Sequence, residues 1–118
     1  MHEIHLDSID STNTYAKQHC GTFPADQITC ITAEEQTAGR GRYQRKWFSP
    51  RGGNIYATFC FRLPTNALHL TSLSQVMAYS FASVLISEGF HPKIKWPNDI
   101  QLSGKKSQWN FIRNSISL

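Results

Sequence analysis

The sequence holds 118 residues, with 12 Lys+Arg against 8 Asp+Glu, 40% hydrophobic and 17% charged residues, a balance that fits one small globular domain and excludes a mainly disordered chain. No stretch approaches the roughly 18 apolar residues of a membrane span, and the first residues, Met1 to Asp7, carry neither the basic nor the apolar run of a secretory signal, so the cytoplasm is the expected compartment. Cys20, Cys30 and Cys60 are odd in number and form no CxxC pair, which favours buried thiols over a disulfide framework or a zinc ribbon.

In chain order, Ser11 followed by Thr12 to Cys20 and then Gly21 predicts a short helix with a hydroxyl N-cap and a glycine stop. Its N-terminus presents free backbone N–H groups. Gln27 to Ala33, rich in Ile and Thr, predicts a buried strand. From Asn54 to Arg62, Ile55, Ala57, Phe59 and Phe61 alternate with Asn54, Tyr56, Thr58 and Cys60, the period of a half-buried strand. Leu70, Leu73, Met77, Phe81, Val84 and Leu85 share one helical face and Gly89 supplies a stop, so a main helix is expected over Thr71 to Glu88 with that stripe in the core. Lys93 to Trp96 and Asp99 to Leu102 read as two short strands joined at Pro97-Asn98. Trp109 and Phe111 alternate with polar residues, and the tail to Leu118 has weak periodicity. The pattern predicts an α+β fold, helices packed on a partial, mostly antiparallel sheet.

The net charge of +4 is unevenly placed. Arg40, Arg42, Arg45, Lys46 and Arg51 lie within a dozen residues that hold no acid, leaving seven bases against eight acids elsewhere. A local cluster of this kind points to an anionic ligand at one place. In the same segment Gly39 and Gly41 flank Arg40, allowing a close backbone approach while guanidinium groups offer forked donors to phosphate. Read alone, the run fits equally a basic loop without ligand or an RNA-binding segment, and Trp47 and Phe48 either stack a base or anchor the loop to the core. The RNA reading predicts steep salt dependence and indifference to small carboxylates.

Three separated motifs narrow the choice. Asp10-Ser11-Thr12-Asn13, then Gln36-x-x-Gly39-Arg40-Gly41-Arg42-x-x-Arg45-x-Trp47, then Lys95-Trp96-Pro97-Asn98-Asp99 and Lys106 together resemble the biotin protein ligase family, from about Ile4 to Lys106. The resemblance implies a fold related to class II aminoacyl-tRNA synthetases, an α+β partial mixed sheet backed by packed helices, with a partial catalytic domain over 1–106 and a divergent tail over 107–118. It implies ATP-dependent adenylation of biotin, with Mg²⁺ delivered on ATP, then transfer of biotin to a lysine of a biotin carboxyl-carrier domain. Lipoate ligases are near relatives, and Gln36 with GRGRxxRxW favours biotin.

Carried over residue by residue, the resemblance assigns Ser11, Thr12, Asn13 and Gln36 to the biotin pocket. Gly39, Arg40, Gly41, Arg42, Arg45 and Trp47 belong to the loop over the biotin chain and the adenylate phosphate, with Arg40, Gly41 and Arg42 among the biotin contacts. Lys106 approaches the biotin carboxylate and the α-phosphate. Arg42 and Lys106 are the expected catalytic residues, because adenylation sets a carboxylate against an anionic phosphate and needs preorganised cations. Lys95, Trp96, Pro97, Asn98 and Asp99 shape the site through a tight turn, Asn98 and Asp99 serving either there or as plain turn residues. No metal site is expected, since no histidine pair falls at ligand spacing and Mg²⁺ arrives on phosphates.

The sequence also departs from the family pattern. Gln44 stands where the family has a glycine in its loop, and the Gly-Ile-Leu strand expected after Lys106 is replaced by Ser107 to Leu118. Truncation, a non-catalytic biotin-binding fragment and self-association through unpaired strand edges are the matching alternatives. No helix-turn-helix precedes Ile4, so neither DNA binding nor a repressor role is expected.

Overall fold

The computed structural model of the chain describes residues 1–41, 45–64, 72–96, 98–102 and, as backbone, 105–110. They fall into two compact units, Met1–Pro64 and Thr65–Leu118. In the first, β1 (His2–Ile9), α1 (Thr12–His19), a 3-10 turn (Cys20–Thr22), β2 (Thr29–Gln36) and β3 (Tyr56–Cys60) build a three-stranded sheet in the order β1-β2-β3. β1 runs parallel to β2, with His2 opposite Thr29 and Ile9 opposite Gln36, while β3 is antiparallel to β2. The sheet is therefore mixed, as the family resemblance implies, where the element pattern read alone suggests a mostly antiparallel one.

β1 was not among the expected elements. Its inward residues Ile4 and Leu6 are separated by His5 and followed by Asp7-Ser8, so only two apolar positions carry its alternation. β2 runs three residues past Ala33 because Ser8 and Ile9 of β1 supply partners for Glu35 and Gln36. β3 faces the opposite way from a reading on apolarity. Thr58 lies opposite the fully buried Ile31 and Cys60 opposite Thr29, toward α1, whereas Phe59 and Ile55 are 50% and 73% exposed. On the inward face Thr58 bonds Thr12 of α1 and Cys60 packs against the apolar core.

The core of this unit is Ala16, Phe23 and Ile31, with Ile4, Leu6, Tyr15, Cys20 and Cys60 packed against it. α1 ends at His19, whose ring stacks on Tyr15 at 4.2 Å and whose Nδ1 bonds Tyr15 O at 2.9 Å; Gly21 falls in the 3-10 turn that follows. All three cysteines are free. Burial pushes the Cys30 and Cys60 thiols up, away from the reactive thiolate.

The second unit holds α2 (Leu73–Ser87) and the antiparallel strands β4 (Pro92–Lys95), β5 (Asp99–Leu102) and β6 (Lys105–Asn110). Gly89, at φ +84°, closes α2. Its N–H reaches Ile86 O and that of Phe90 reaches Leu85 O, the paired bonds of a Schellman stop. The expected stripe holds in part: Leu73, Met77, Phe81 and Leu85 are half-buried, the fully buried positions are Ala78 and Ala82, and Val84 is 57% exposed. Small side chains let a helix lie close on a strand surface, and a stripe read from large apolar residues overlooks them. Leu70 and Thr71 lie outside the described residues. β6 carries Trp109 opposite Ile100, so the alternation read in the tail belongs to a strand; 111–118 lie outside the described residues.

Candidate functional site

Parallel pairing continues one step beyond β1 and β2: the N–H groups of Thr37 and Ala38 donate to Ile9 O and Asp10 O at 2.8 and 2.9 Å. This draws the start of α1 and the end of β2 to one edge of the sheet. Ser11, in extended conformation, caps α1 by accepting from Thr14 N, a long bond of 3.5 Å, while its own N–H donates to Asp10 Oδ1 at 2.6 Å. Thr12, 4% exposed, donates its backbone N–H to Gln36 Oε1 at 2.9 Å, and its hydroxyl lies 3.2 Å from the same oxygen. Asn13 follows in the first turn of α1, half-buried.

The basic segment leaves Gln36 as a hairpin. Gln36 bridges Ser49 and Arg40 bridges Lys46; Trp47 N donates to Gly39 O and Gly41 N to Arg45 O, both at 2.8 Å. The glycines are required by close approach: a Cβ on Gly39 would stand 2.9 Å from Ser49 Oγ, and one on Gly41 would collide with the Trp47 indole, 2.9 Å from Cδ1. Trp47 thus covers Gly41, while Phe48 is 88% exposed. A cleft of about 290 Å³ lies among Thr37, Ala38, Gly39, Arg40, Lys46 and Trp47. Arg40 and Lys46, bridged across the hairpin, both line the cleft and make this part of the surface basic. Arg42 lies outside the described residues.

Arg51 leaves the cationic group expected from the sequence. Its guanidinium holds both Asp7 carboxylate oxygens, at 2.6 and 2.7 Å, with Glu35 at 3.7 Å. It latches the end of the hairpin to β1 and does not add a cation to the cleft. The Arg51 guanidinium holds the exposed Asp7 carboxyl below its ordinary range. The contribution of such a depressed group is full above the unfolded value and disappears as pH falls through the folded one. An NMR titration of the Asp7 carboxyl should give a midpoint below about 3.9, moving back to the ordinary value in Arg51→Ala; an unshifted wild-type midpoint would refute the latch.

In the second unit Lys95 and Asp99 pair at the mouth of the β4–β5 hairpin, so the KWPND segment is its turn, with Trp96 78% exposed and Asn98 half-buried. Pro97 lies outside the described residues, as does the Lys106 side chain, whose backbone is on β6. Among the described residues no group of three or more His, Cys, Asp or Glu is placed to hold a metal ion, and no helix is long and apolar enough to cross a membrane. Two polar residues missed by the sequence reading touch the cluster: Thr58 bonds Thr12 at 2.9 Å and Ser49 bonds Gln36 at 3.4 Å. Neither carried a signal in the sequence, because the inward placement of Thr58 follows from the strand register.

Residues 5–107 match the biotin/lipoate A/B protein ligase family. The chain belongs to this family. Within it, the chain is 42% identical over 102 residues to the bifunctional ligase/repressor BirA of Escherichia coli, covering 86% of this chain and 31% of BirA. It is 39% identical over 90 residues to the biotin–[acetyl-CoA-carboxylase] ligase of Paracoccus denitrificans, covering 74% and 37% of the two chains. The biotin protein ligase of Aquifex aeolicus, solved with biotin and ATP, superposes with a TM-score of 0.67 at 32% identity over 84% of this chain and 40% of that one. The fold is that of the biotin protein ligase catalytic domain, and the chain spans about a third of the length of these curated relatives.

Proposed function

We propose that this chain carries the biotin-binding and phosphate-contacting part of a biotin protein ligase acting in the cytoplasm. Such an enzyme joins biotin to ATP as biotinyl-adenylate and passes it to a lysine of a biotin carboxyl-carrier protein. The observation that carries the reading is the convergence of the Thr12 N–H and hydroxyl on Gln36, next to a hairpin that sets Arg40 opposite Lys46.

Chemically, a biotin carboxylate oxygen attacks the α-phosphorus of ATP and pyrophosphate leaves with the Mg²⁺ that accompanied it. The acceptor amine then attacks the carbonyl carbon of the mixed anhydride, loses a proton, and AMP departs as the amide forms. The first step brings two anions together, so the protein's task is to hold cations at the developing phosphate and to exclude competing water. Arg40, Arg42, Arg45 and Lys106 fill that role, with Arg42 and Lys106 acting on the reacting atoms. Ser11, Thr12, Asn13 and Gln36 hold the ring end of biotin, Gly39, Gly41 and Trp47 shape the hairpin over it, and Lys95, Trp96, Pro97, Asn98 and Asp99 form the supporting turn.

Isothermal titration of the 118-residue chain with biotin tests the site. Binding is expected, weakened about tenfold or more in Thr12→Val and in Gln36→Ala, where a buried donor loses its acceptor. Affinity unchanged in both variants would rule out this pocket.

A further inference from the structure

We propose that Thr58 on β3 holds the Thr12 side chain in place at the Thr12–Gln36 pocket end, a positioning role that rests on the biotin reading above. A backbone N–H can only donate, so Thr12 N at 2.9 Å turns the carboxamide oxygen of Gln36 toward α1 and its NH₂ group toward Ser49 Oγ at 3.4 Å. Because Oε1 is an acceptor, the Thr12 hydroxyl at 3.2 Å bonds it by giving up its single proton. The contact of 2.9 Å between the Thr58 and Thr12 hydroxyl oxygens then has Thr58 as donor.

The result is a directed chain from Thr58 to Thr12 to Gln36, spanning β3, α1 and β2. A ligand at this end meets the Thr12 oxygen as an acceptor and the Gln36 amide as a donor, which matches a group presenting N–H beside C=O, such as a cyclic urea. Without Thr58 the Thr12 oxygen loses one of the two hydrogen-bond partners that hold its side chain, the other being Gln36 Oε1. Thr58 does not touch the ligand in this scheme; it acts through Thr12.

Thr58→Val removes the donor at nearly constant shape, and Thr58→Ser restores it. In titrations with biotin, Thr58→Val is expected to weaken binding about tenfold, the effect of one lost hydrogen bond, while Thr58→Ser binds like wild type. The side-chain amide resonances of Gln36 in the ¹⁵N-labelled chain should shift in Thr58→Val and return in Thr58→Ser, with the remaining backbone spectrum reporting an intact fold. If both variants bind as wild type does, the positioning role is overturned and the biotin reading stands. If the wild-type chain itself does not bind biotin, that reading fails, and the Gln36 resonances decide the positioning claim: a shift restored by serine upholds it, and an unmoved signal overturns it.

Discussion

Replacing Arg42 or Lys106 by alanine is expected to slow biotin-dependent pyrophosphate release by about 10²–10³, the usual loss when one preorganised donor to a developing negative charge is removed. The measurement needs the remainder of a ligase. Residues 5–107 of this chain, exchanged for the matching segment of the Escherichia coli BirA to which it is 42% identical, supply a chimaera in which each substitution can be read. The loss should fall mainly on the adenylation rate, with a smaller change in biotin affinity, because the interaction strengthens as charge builds on the phosphate. Replacement by the other base, Arg42→Lys, should recover part of the rate without the forked geometry. A chimaera whose Arg42→Ala and Lys106→Ala forms both turn over at the parental rate would sink the assignment.

The largest stability effect is expected at Ile31. It is 0% exposed at the centre of the first sheet, between Ile4 and Thr58, and its truncation to alanine should cost about 2–5 kcal/mol. A small unit has little to spare, since it buries only roughly 60% of the surface its unfolded chain exposes. Ile55, 73% exposed, provides the control, with Ile55→Ala expected to stay within about 0.5 kcal/mol of wild type. Urea denaturation followed by circular dichroism makes the comparison. Equal midpoints for the two variants would contradict the packing described for β2.

The contrast between these two isoleucines shows where sequence patterning stops. Local signals carried well: the Ser11 cap, the Gly89 stop and the turn between β4 and β5 depend on neighbours a few residues away, and all three stand in the structure. Signals that depend on distant partners did not. On the inward face of β3 Thr58 meets Thr12, 46 residues away, against the apolar bias of the outward residues. Arg51 belonged by sequence to the cationic run, yet Asp7, 44 residues away, claims it. Ala78 and Ala82 carry the buried face of α2 because closeness, not side-chain bulk, suits that contact. For the site, the pocket motif and the hairpin glycines were readable through a resemblance and through close approach, whereas Thr58 and Ser49 enter only once the strands are in register.

The pairing registers also imply an order of assembly. Every β1–β2 partnership joins residues 27 apart, as His2 to Thr29, and β2 waits for Cys60 to complete its other edge. Strands β4 and β5 close over far shorter stretches, Lys95 to Asp99 and Pro92 to Leu102. Hairpins of that kind form in about 1–10 μs, while contacts across longer separations must first overcome the entropy of closing their loops. In refolding from denaturant the hairpin should therefore gain protection first, although it follows the first unit in the chain. The unit bearing Thr12 and Gln36 is then the slower partner, and its sheet edges stay open longest to other chains.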